Sequence, residues 1–358
     1  MRLSKLSYVY RSWELLNLEL DSVNLIVAKN ATGKSRTLLA IDYLTNILVQ
    51  KRNLEHSCSW NIQFSSSDSI TINYNFEVTI ESGIAVVSNE QLWVSGEAFI
   101  TRDRESCQLK NMLTGLYDDV HPPSNKLTLH ANRDVKKYSY IEDVSEWAEN
   151  SYGFKFGSII PFSDSNSALS TFLTTVEDIP DLFKALDIQS RSEVLTQFNN
   201  VGYDIAEINF QEIGDSGIIL VREQGLEVTL SHSQLAQGMF RTLCIIIYLE
   251  YLMSQKKPSL VIIDDLCEGL DYDRARKLGK MVFDKCINSN IQLVATSNDS
   301  FLMDVVDIKY WNVLQRKGKV VTALNRKNHP KLFSDFKFTG LSNFDFFASD
   351  FLNQELEL

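Results

Sequence analysis

One segment constrains the fold of this chain more than any other. It joins an apolar run to a short loop and the start of a helix, with the sequence Leu25-Ile26-Val27-Ala28-Lys29-Asn30-Ala31-Thr32-Gly33-Lys34-Ser35. The loop ends in Gly-Lys-Ser, as phosphate-binding P-loops do. In such loops the backbone N–H groups surround the phosphates, the lysine contacts the β and γ oxygens, and the serine hydroxyl binds Mg²⁺. The segment therefore predicts a strand–loop–helix unit with a phosphate site.

The loop departs from the usual P-loop pattern, G-x-x-x-x-G-K-[ST], at its first position. That position is Ala28, and alanine does not tolerate the positive φ that glycine adopts freely. Beyond the loop, apolar residues at helical spacing predict a helix over 34–50, namely Leu38, Ile41, Leu44 and Leu48. A chance Gly-Lys-Ser at a strand–helix turn is the alternative. The strand and helix on either side favour the phosphate site.

Composition indicates a globular protein. With 358 residues and 44% hydrophobic residues, the chain can form one large domain or two moderate ones. We find no apolar run of about 20 residues that would span a bilayer and no apolar secretion signal, so we expect no membrane association. Five scattered cysteines without C-x-x-C spacing are typical of a reducing cytoplasm. A net charge of −11 does not favour a broad nucleic-acid surface, although a local basic patch would be compatible with it.

The first 205 residues divide into three regions. Residues 1–27 predict two or three strands, and alternating residues over 60–102 predict short antiparallel strands. Residues 103–205 are harder to interpret, with helices expected near 140–150, 167–185 and 190–198. We therefore expect a mostly helical insertion over 103–205.

The second half of the chain alternates between strands and helices. An apolar helix from Gly238 to about Met253 precedes a strand at 260–264, a helix at 273–288 and a strand at 291–296. This β-α-β order predicts a parallel sheet with a crossover helix. Further on, Arg316-Lys317-Gly318-Lys319 lies between two apolar runs and predicts a hairpin tip. A solvated turn is the favoured interpretation of this basic group, with a local binding patch as the alternative.

The apolar strand that begins at Leu260 ends in two carboxylates. Asp264 and Asp265 would lie at the carboxyl edge of the sheet, where α/β folds bind ligands. Asp264 could hold Mg²⁺ there, and Asp265 could accept a proton from an attacking water. An ordinary strand ending in solvent is the alternative. The upstream P-loop favours the metal interpretation.

A third motif, Leu235-Ala236-Gln237-Gly238-Met239-Phe240-Arg241, begins 29 residues before Asp264. Here the chain resembles the ABC-type ATPases, specifically the SMC/RecF/OLD-like heads, whose signature reads roughly L-S-x-G-x-x-R at a helix N-terminus. A similar stretch over 230–234 lacks the glycine, so the later register is preferred. The resemblance implies an α/β P-loop NTPase of ABC-ATPase type with an antiparallel β subdomain. Residues 1–102 and 206–350 would form the ATPase head, with 103–205 as the helical insertion.

The resemblance also assigns roles to residues. ATP phosphates would be bound by the loop and the start of its helix, through Lys29, Asn30, Ala31, Thr32, Gly33, Lys34, Ser35 and Arg36. Mg²⁺ would be held by Ser35 and Asp264. Catalysis would involve Asp265, Lys34 and Asn298, the last at the family's switch position. Arg11, in the first hairpin, is a candidate for a base or ribose contact.

Ala236 and Gly238 would approach the γ-phosphate of a second subunit, since in this family ATP is sandwiched in a dimer. We therefore expect a homodimer or a higher oligomer. The resemblance also implies a Q-loop glutamine, for which Gln63, Gln91 and Gln108 all remain candidates.

Three departures from the family pattern bear on turnover. Asp265 stands where the family has Glu, Ala236 where it has Ser, and Asn298 where it has His. Asn can form hydrogen bonds but carries no charge at neutral pH. Each change should weaken stabilisation of the transition state more than ATP binding, so we expect slow hydrolysis. Glu268 is a fallback base.

Small heads of this group resemble the ATPase subunits of bacterial anti-phage systems, in which a separate nuclease or toxin acts. By that analogy we expect an effector partner. Two other functions stay open. One is a DNA repair or recombination clamp of SMC/RecF type, which the acidic composition does not favour. The other is a nucleotide-gated scaffold without significant turnover.

Overall fold

The computed structural model of the chain describes residues 1–66, 70–155, 179–213, 216–337 and 339–348. It contains two compact units. The first comprises Met1–Ser151 and Lys309–Asp335, and the second comprises Tyr152–Ile308 and Phe336–Leu358. These bounds differ from the division expected at residues 102 and 205, which stays a prediction. No helix within the described ranges is long and apolar enough to cross a membrane.

The first unit is built mainly of strands. Its elements are β1 (Arg2–Tyr10), β2 (Trp13–Glu19), β3 (Val23–Val27), α1 (Lys34–Leu48), β4 (Cys58–Ser65), β5 (Thr71–Glu81), β6 (Ile84–Val94), β7 (Glu97–Arg102), β8 (Cys107–Lys110), β9 (Tyr117–Asp119), α2 (Thr128–Ala131), α3 (Ser139–Glu149), β16 (Trp311–Lys317), β17 (Val320–Leu324) and the start of α9 (Pro330–Lys337). The strands are neighbours in the order β3-β16-β17-β2-β1-β4-β5-β6-β7-β8-β9. The β3–β16 and β17–β2 pairs are parallel, and the other pairs are antiparallel.

The burial patterns of these strands match the residues that form them. Every residue of β3 is buried, as expected for a strand covered on both faces, whereas β4 alternates between buried and more exposed positions. The antiparallel strands predicted over 60–102 are present as β4 to β7. They continue beyond residue 102 with β8 and β9, so the first part of the predicted insertion carries strands as well as helices. The helix predicted near 140–150 is α3, which packs against α1.

The second unit contains a parallel β-α-β arrangement. Its elements are β10 (Ser151–Lys155), α4 (Ile179–Ala185), α5 (Ile188–Val201), β11 (Ile205–Ile213), β12 (Ser216–Glu223), β13 (Thr229–Ser231), α6 (Gln237–Gln255), β14 (Ser259–Asp264), α7 (Tyr272–Ile287), β15 (Ile291–Thr296), α8 (Ser300–Val305) and α10 (Asn343–Ala348). Strands β14 and β15 pair in parallel and are joined through α7, as the sequence predicts. Both are buried at every position. Strands β11, β12 and β13 form a separate antiparallel sheet.

Two predicted helices of the insertion lie in this unit. The helix expected near 190–198 is α5. Of the helix expected over 167–185, residues 179–185 form α4, and residues 167–178 lie outside the described residues. Helix α6 is buried around most of its circumference, which explains why its sequence is apolar on all sides.

Candidate functional site

The predicted P-loop connects β3 to α1 in the first unit. The amide of Thr32 donates to the carbonyl of Lys29 at 3.3 Å, which closes a β-turn with Asn30 and Ala31 at its centre. Ala31 has φ 62°, and Gly33 has φ 123°.

The alanine at the first P-loop position does not have the positive φ that would require glycine. Ala28 is buried and is not among the residues with positive φ. The left-handed conformation is required at Ala31 and Gly33, so the strained alanine of this loop is Ala31 and not Ala28.

The start of α1 is suited to an anion. Lys34 is buried, and its Nζ donates to the carbonyl of Ala28 at 2.9 Å, which folds the side chain back along the loop. Ser35 is half-buried in the same turn. The helix has no side-chain cap at Gly33 and no acidic residue in its first turn. An uncapped helix N-terminus attracts negative charge through its dipole and its N–H groups.

The side chains of Trp13 and Val321 lie close to Gly33. A Cβ placed on Gly33 would lie 3.6 Å from Nε1 of Trp13 and 3.8 Å from a methyl group of Val321. The buried Nε1 has no hydrogen-bond partner among the described residues, and the same is true of the Thr37 hydroxyl in α1. Arg36 stacks on Trp13, with its Cζ 4.9 Å from the ring centre. Sequence reasoning gave Trp13 no role, because its contact with the loop is non-local.

The strand β14 ends at the first predicted carboxylate in the second unit. Asp264 is buried, and its Oδ1 accepts a hydrogen bond from the Thr296 hydroxyl at 2.7 Å. The same hydroxyl accepts a bond from the amide of Asp265 at 2.8 Å. A carboxylate oxygen of this kind is a suitable ligand for Mg²⁺. Thr296 lies at the end of β15, and no feature of the sequence singled it out.

Asp265 begins a tightly turned loop. It is half-buried with φ 52°, and Cys267 and Gly269 have φ 72° and 79°. Aspartate is one of the few residues that adopts the left-handed conformation at low cost. This gives a backbone reason for Asp at a position where the ABC-type ATPases that the sequence resembles have Glu.

The signature-like motif lies at the start of α6, where Ala236 is the N-cap without a side-chain hydrogen bond. A Cβ on Gly238 would lie 2.8 Å from Cδ2 of Leu270 and 3.2 Å from the carbonyl oxygen of Gly269. A side chain at residue 238 would therefore require Leu270 and the Gly269 carbonyl to shift. The alternative register at 230–234 is different, since Ser231 caps a short 3-10 turn there and α6 does not begin at it.

Arg241 of α6 forms a hydrogen bond and an ion pair with the 265–271 loop. Its Nη1 donates to the carbonyl of Glu268 at 2.7 Å and lies 3.5 Å from the Glu268 carboxylate. The arginine is buried, although the sequence motif gave it no function. Glu268, the fallback base, thus forms an ion pair with Arg241.

The N-termini of the next two helices differ from those of α1 and α6, because an aspartate side chain caps each of them. Asp271 caps α7 and Asp299 caps α8.

Asn298 and Arg11 are both exposed. Asn298 follows β15 in the second unit. Arg11 lies in the two-residue turn between β1 and β2 of the first unit, with φ 53°, and its Cζ lies 5.1 Å from the centre of the Tyr10 ring. It borders a cleft of about 520 Å³ that is also lined by His56 and Cys58. Burial raises the pKa of the Cys58 thiol to about 11, so no thiolate nucleophile is present there at neutral pH.

The predicted residues are therefore shared between the units. The first unit holds Arg11 and the loop and helix start over 29–36. The second holds Ala236, Gly238, Asp264, Asp265 and Asn298.

Two of the three candidates for the Q-loop glutamine form side-chain hydrogen bonds within the antiparallel sheet. Gln63 donates to Asn73 in the next strand, and Gln108 donates to Asp119.

Comparison with known proteins identifies the fold. The sequence matches no protein-family model and no curated protein. The structure is similar to an SMC head bound to the C-terminal winged-helix domain of ScpA, with a TM-score of 0.54, 13% identity, and coverage of 92% of this chain and 100% of that one. An SMC head with an extended coiled coil from Pyrococcus furiosus gives a TM-score of 0.54 at 10% identity, covering 94% and 99%. One from Pyrococcus yayanosii gives 0.50 at 8%, also covering 94% and 99%.

At these identities the likeness shows the fold alone. The chain thus has the mixed α/β fold of SMC head domains, which confirms the resemblance stated from the sequence at the level of the fold.

Proposed function

We propose that the chain binds ATP with Mg²⁺ and hydrolyses it slowly, as an ABC-type ATPase. The observation that carries this proposal is the geometry around Lys34. Its buried ammonium group follows the positive-φ turn at Ala31 and Gly33 and lies at the uncapped start of α1. This combination of a cation, a helix dipole and loop amides is what phosphate groups require. Residues 29–36 would bind the phosphates.

The remaining roles follow the residue chemistry. Asp264 and the Ser35 hydroxyl supply hard oxygen ligands, which fit Mg²⁺, and the ion would neutralise phosphate charge when bound. Asp265 would orient water and accept its proton, and Asn298 would donate a hydrogen bond. Arg11 would contact the base or ribose.

Slow turnover is part of the proposal. Asp265 has a shorter side chain than Glu, and Asn298 is neutral, so both provide weaker help in the transition state than the family's residues. The same observation supports a second candidate function, a scaffold whose assembly is gated by nucleotide without significant hydrolysis.

ATP-dependent assembly completes the proposal. The uncapped start of α6, with Ala236 and Gly238, would meet the γ-phosphate of a second subunit in a homodimer or higher oligomer. The similar SMC heads are described in complex with ScpA. For this chain we propose a protein effector, a nuclease or toxin, in bacterial anti-phage defence. A DNA clamp is the alternative, and strong binding to duplex DNA that falls steeply with salt would favour it.

The decisive experiment compares ATP turnover, ATP binding and oligomer size for the wild type, Lys34→Ala and Lys280→Ala. Lys280 is an exposed lysine of α7, so its variant controls for loss of charge. Turnover that is lost only in Lys34→Ala supports the ATPase. ATP-induced assembly without turnover supports the scaffold. A wild-type chain that binds no ATP overturns both.

A further inference from the structure

One residue of the P-loop, Ala31, has a backbone conformation that alanine rarely adopts. Ala31 occupies the third position of the turn from Lys29 to Thr32, with φ 62°. Turns with positive φ at this position normally have Gly or Asn there, because a Cβ is crowded by the following carbonyl. An alanine at positive φ has a conformational cost, so a contact that favours this conformation would stabilise the loop.

That contact comes from the hairpin formed by β16 and β17. Nη1 of Arg316 donates to the carbonyl of Ala31 at 3.2 Å, across 285 positions in the sequence. Nε of the same guanidinium donates to the carbonyl of Gly318 at 2.9 Å. The side chain is thus oriented by its own turn and reaches the loop with its outer nitrogen. The favoured interpretation of 316–319 as a merely solvated turn is therefore incomplete.

The hairpin is held in place at its tip. The amide of Glu14 donates to the carbonyl of Lys319 at 3.0 Å, and the side chains of these two residues form an ion pair at 2.6 Å. Val321 is directly opposite Arg316 in the β16–β17 pair, and its Cγ2 lies 3.8 Å from the position that a Cβ on Gly33 would take. The hairpin therefore donates a hydrogen bond to one positive-φ residue of the loop, Ala31, and has Val321 close to the other, Gly33.

We propose that Arg316 is a positioning residue of the P-loop, which holds Ala31 in the left-handed conformation and so prepares the loop for phosphate. The role needs the hydrogen bond to the Ala31 carbonyl and does not depend on the positive charge alone. The inference deepens the proposed function. It rests on that function in the tests that measure nucleotide affinity. It would make the affinity of this P-loop depend on a residue far outside the P-loop motif.

The first test measures binding of ATP with Mg²⁺ by calorimetry. Arg316→Ala should weaken binding about fivefold, the factor expected for losing one such constraint. Lys317→Ala removes the same charge from the same exposed hairpin and should stay within about twofold of the wild type. Equal weakening in both variants would mean that only the charge matters and would overturn the proposal.

Rescue provides the sharper test. Ala31→Gly removes the conformational penalty at residue 31, so Arg316→Ala should weaken binding by less than about twofold in that background. An effect of Arg316→Ala that persists undiminished in the Ala31→Gly chain would overturn the positioning role. Under the proposal, KM for ATP rises in Arg316→Ala and kcat is unchanged. The variant loses the preformed loop conformation that binds phosphate, and the groups that act in hydrolysis stay the same.

A measurement without nucleotide separates this inference from the proposed function. Amide hydrogen exchange over 28–36 should be faster in Arg316→Ala than in the wild type and Lys317→Ala, because the loop opens more often. If the wild type fails to bind ATP, the proposed function falls, while faster exchange in Arg316→Ala still supports the constraint. Identical exchange in all three chains overturns the constraint, whatever the ATP affinity.

Discussion

The Thr296 hydroxyl donates a hydrogen bond to Oδ1 of Asp264, and the two oxygens are 2.7 Å apart. Because the same hydroxyl accepts from the amide of Asp265, one side chain of β15 contacts both Asp264, the last residue of β14, and Asp265, which follows it. The two strands are adjacent and parallel, so their carboxyl ends meet. The candidate metal ligand is thus oriented from the neighbouring strand.

The first prediction concerns Thr296→Val, which keeps the shape of the side chain and removes the hydroxyl. The variant loses the hydrogen bonds that the Thr296 hydroxyl makes with the Asp264 carboxylate and the Asp265 amide, so the free energy of unfolding should fall by about 1–3 kcal/mol. Thr296→Ser should retain most of it. Chemical denaturation measures both, with the exposed Thr322→Val as the control. Wild-type stability in Thr296→Val would show that these hydrogen bonds contribute nothing net.

A second prediction concerns Gly238 and the loop against which it packs. Helix propensity alone predicts that Gly238→Ala stabilises the protein by about 1 kcal/mol. The close approach of Leu270 and of the Gly269 carbonyl predicts the opposite sign, a loss of about 1–3 kcal/mol. Thermal or denaturant unfolding decides between the two.

Leu270→Ala is the matched partner for that experiment. It removes the atom nearest to the new methyl group, so Gly238→Ala should cost less in its background than in the wild type. Strict additivity of the two changes would mean that Leu270 does not restrict the glycine.

Local sequence patterns predicted the elements well. Strand β15 has the predicted bounds, and β14, α6 and α7 agree within one or two residues, because burial on both faces or on one helical stripe leaves a clear periodicity. The same patterns also placed the 28–35 loop between a strand and a helix, and Asp264 at the end of a strand, where the structure has them.

The supporting contacts were not predictable in this way. Arg316 meets Ala31 across 285 positions, and Thr296 meets Asp264 across 32. Such pairs depend on strand order, which no local period encodes. The residue of the 28–35 loop that has positive φ, Ala31 and not Ala28, was not predictable for a related reason, since it depends on the turn that the loop forms.

A third prediction separates the chemistry of Asp265 from its backbone. Asp265→Asn keeps a residue that tolerates φ 52°, so stability should be unchanged within about 0.5 kcal/mol. Hydrolysis should be lost while ATP binding remains, because an amide cannot accept the proton of water. Turnover and calorimetric binding measure the two effects.

Asp265→Glu should show the reverse combination. The longer carboxylate is the residue that the similar ABC-type ATPases have and should raise turnover under the proposed function, while glutamate at positive φ should lower stability by about 1 kcal/mol. Unchanged turnover in this variant, or a wild-type turnover above about 10 s⁻¹, would contradict the proposal that Asp265 makes hydrolysis slow.

The last prediction concerns Asp42, a buried residue of α1. Burial raises its pKa from 3.8 to about 6, although Arg52, Asn46 and Lys51 oppose the shift. The folded protein therefore binds the proton more tightly than the unfolded chain does. Stability that depends on this proton is fully present below pH 3.8 and is lost as the pH rises to about 6.

Asp42→Asn mimics the protonated side chain at every pH. We expect it to raise the free energy of unfolding at pH 8 by up to about 3 kcal/mol, the equivalent of a shift of about two pKa units. The gain should shrink as the pH falls through 6 and vanish near pH 4, because the wild-type carboxyl is then protonated as well. Denaturant unfolding from pH 4 to 8 measures this profile, with the exposed Glu105→Gln as the control. A gain that is independent of pH would mean that Asp42 acts through packing and not through its charge.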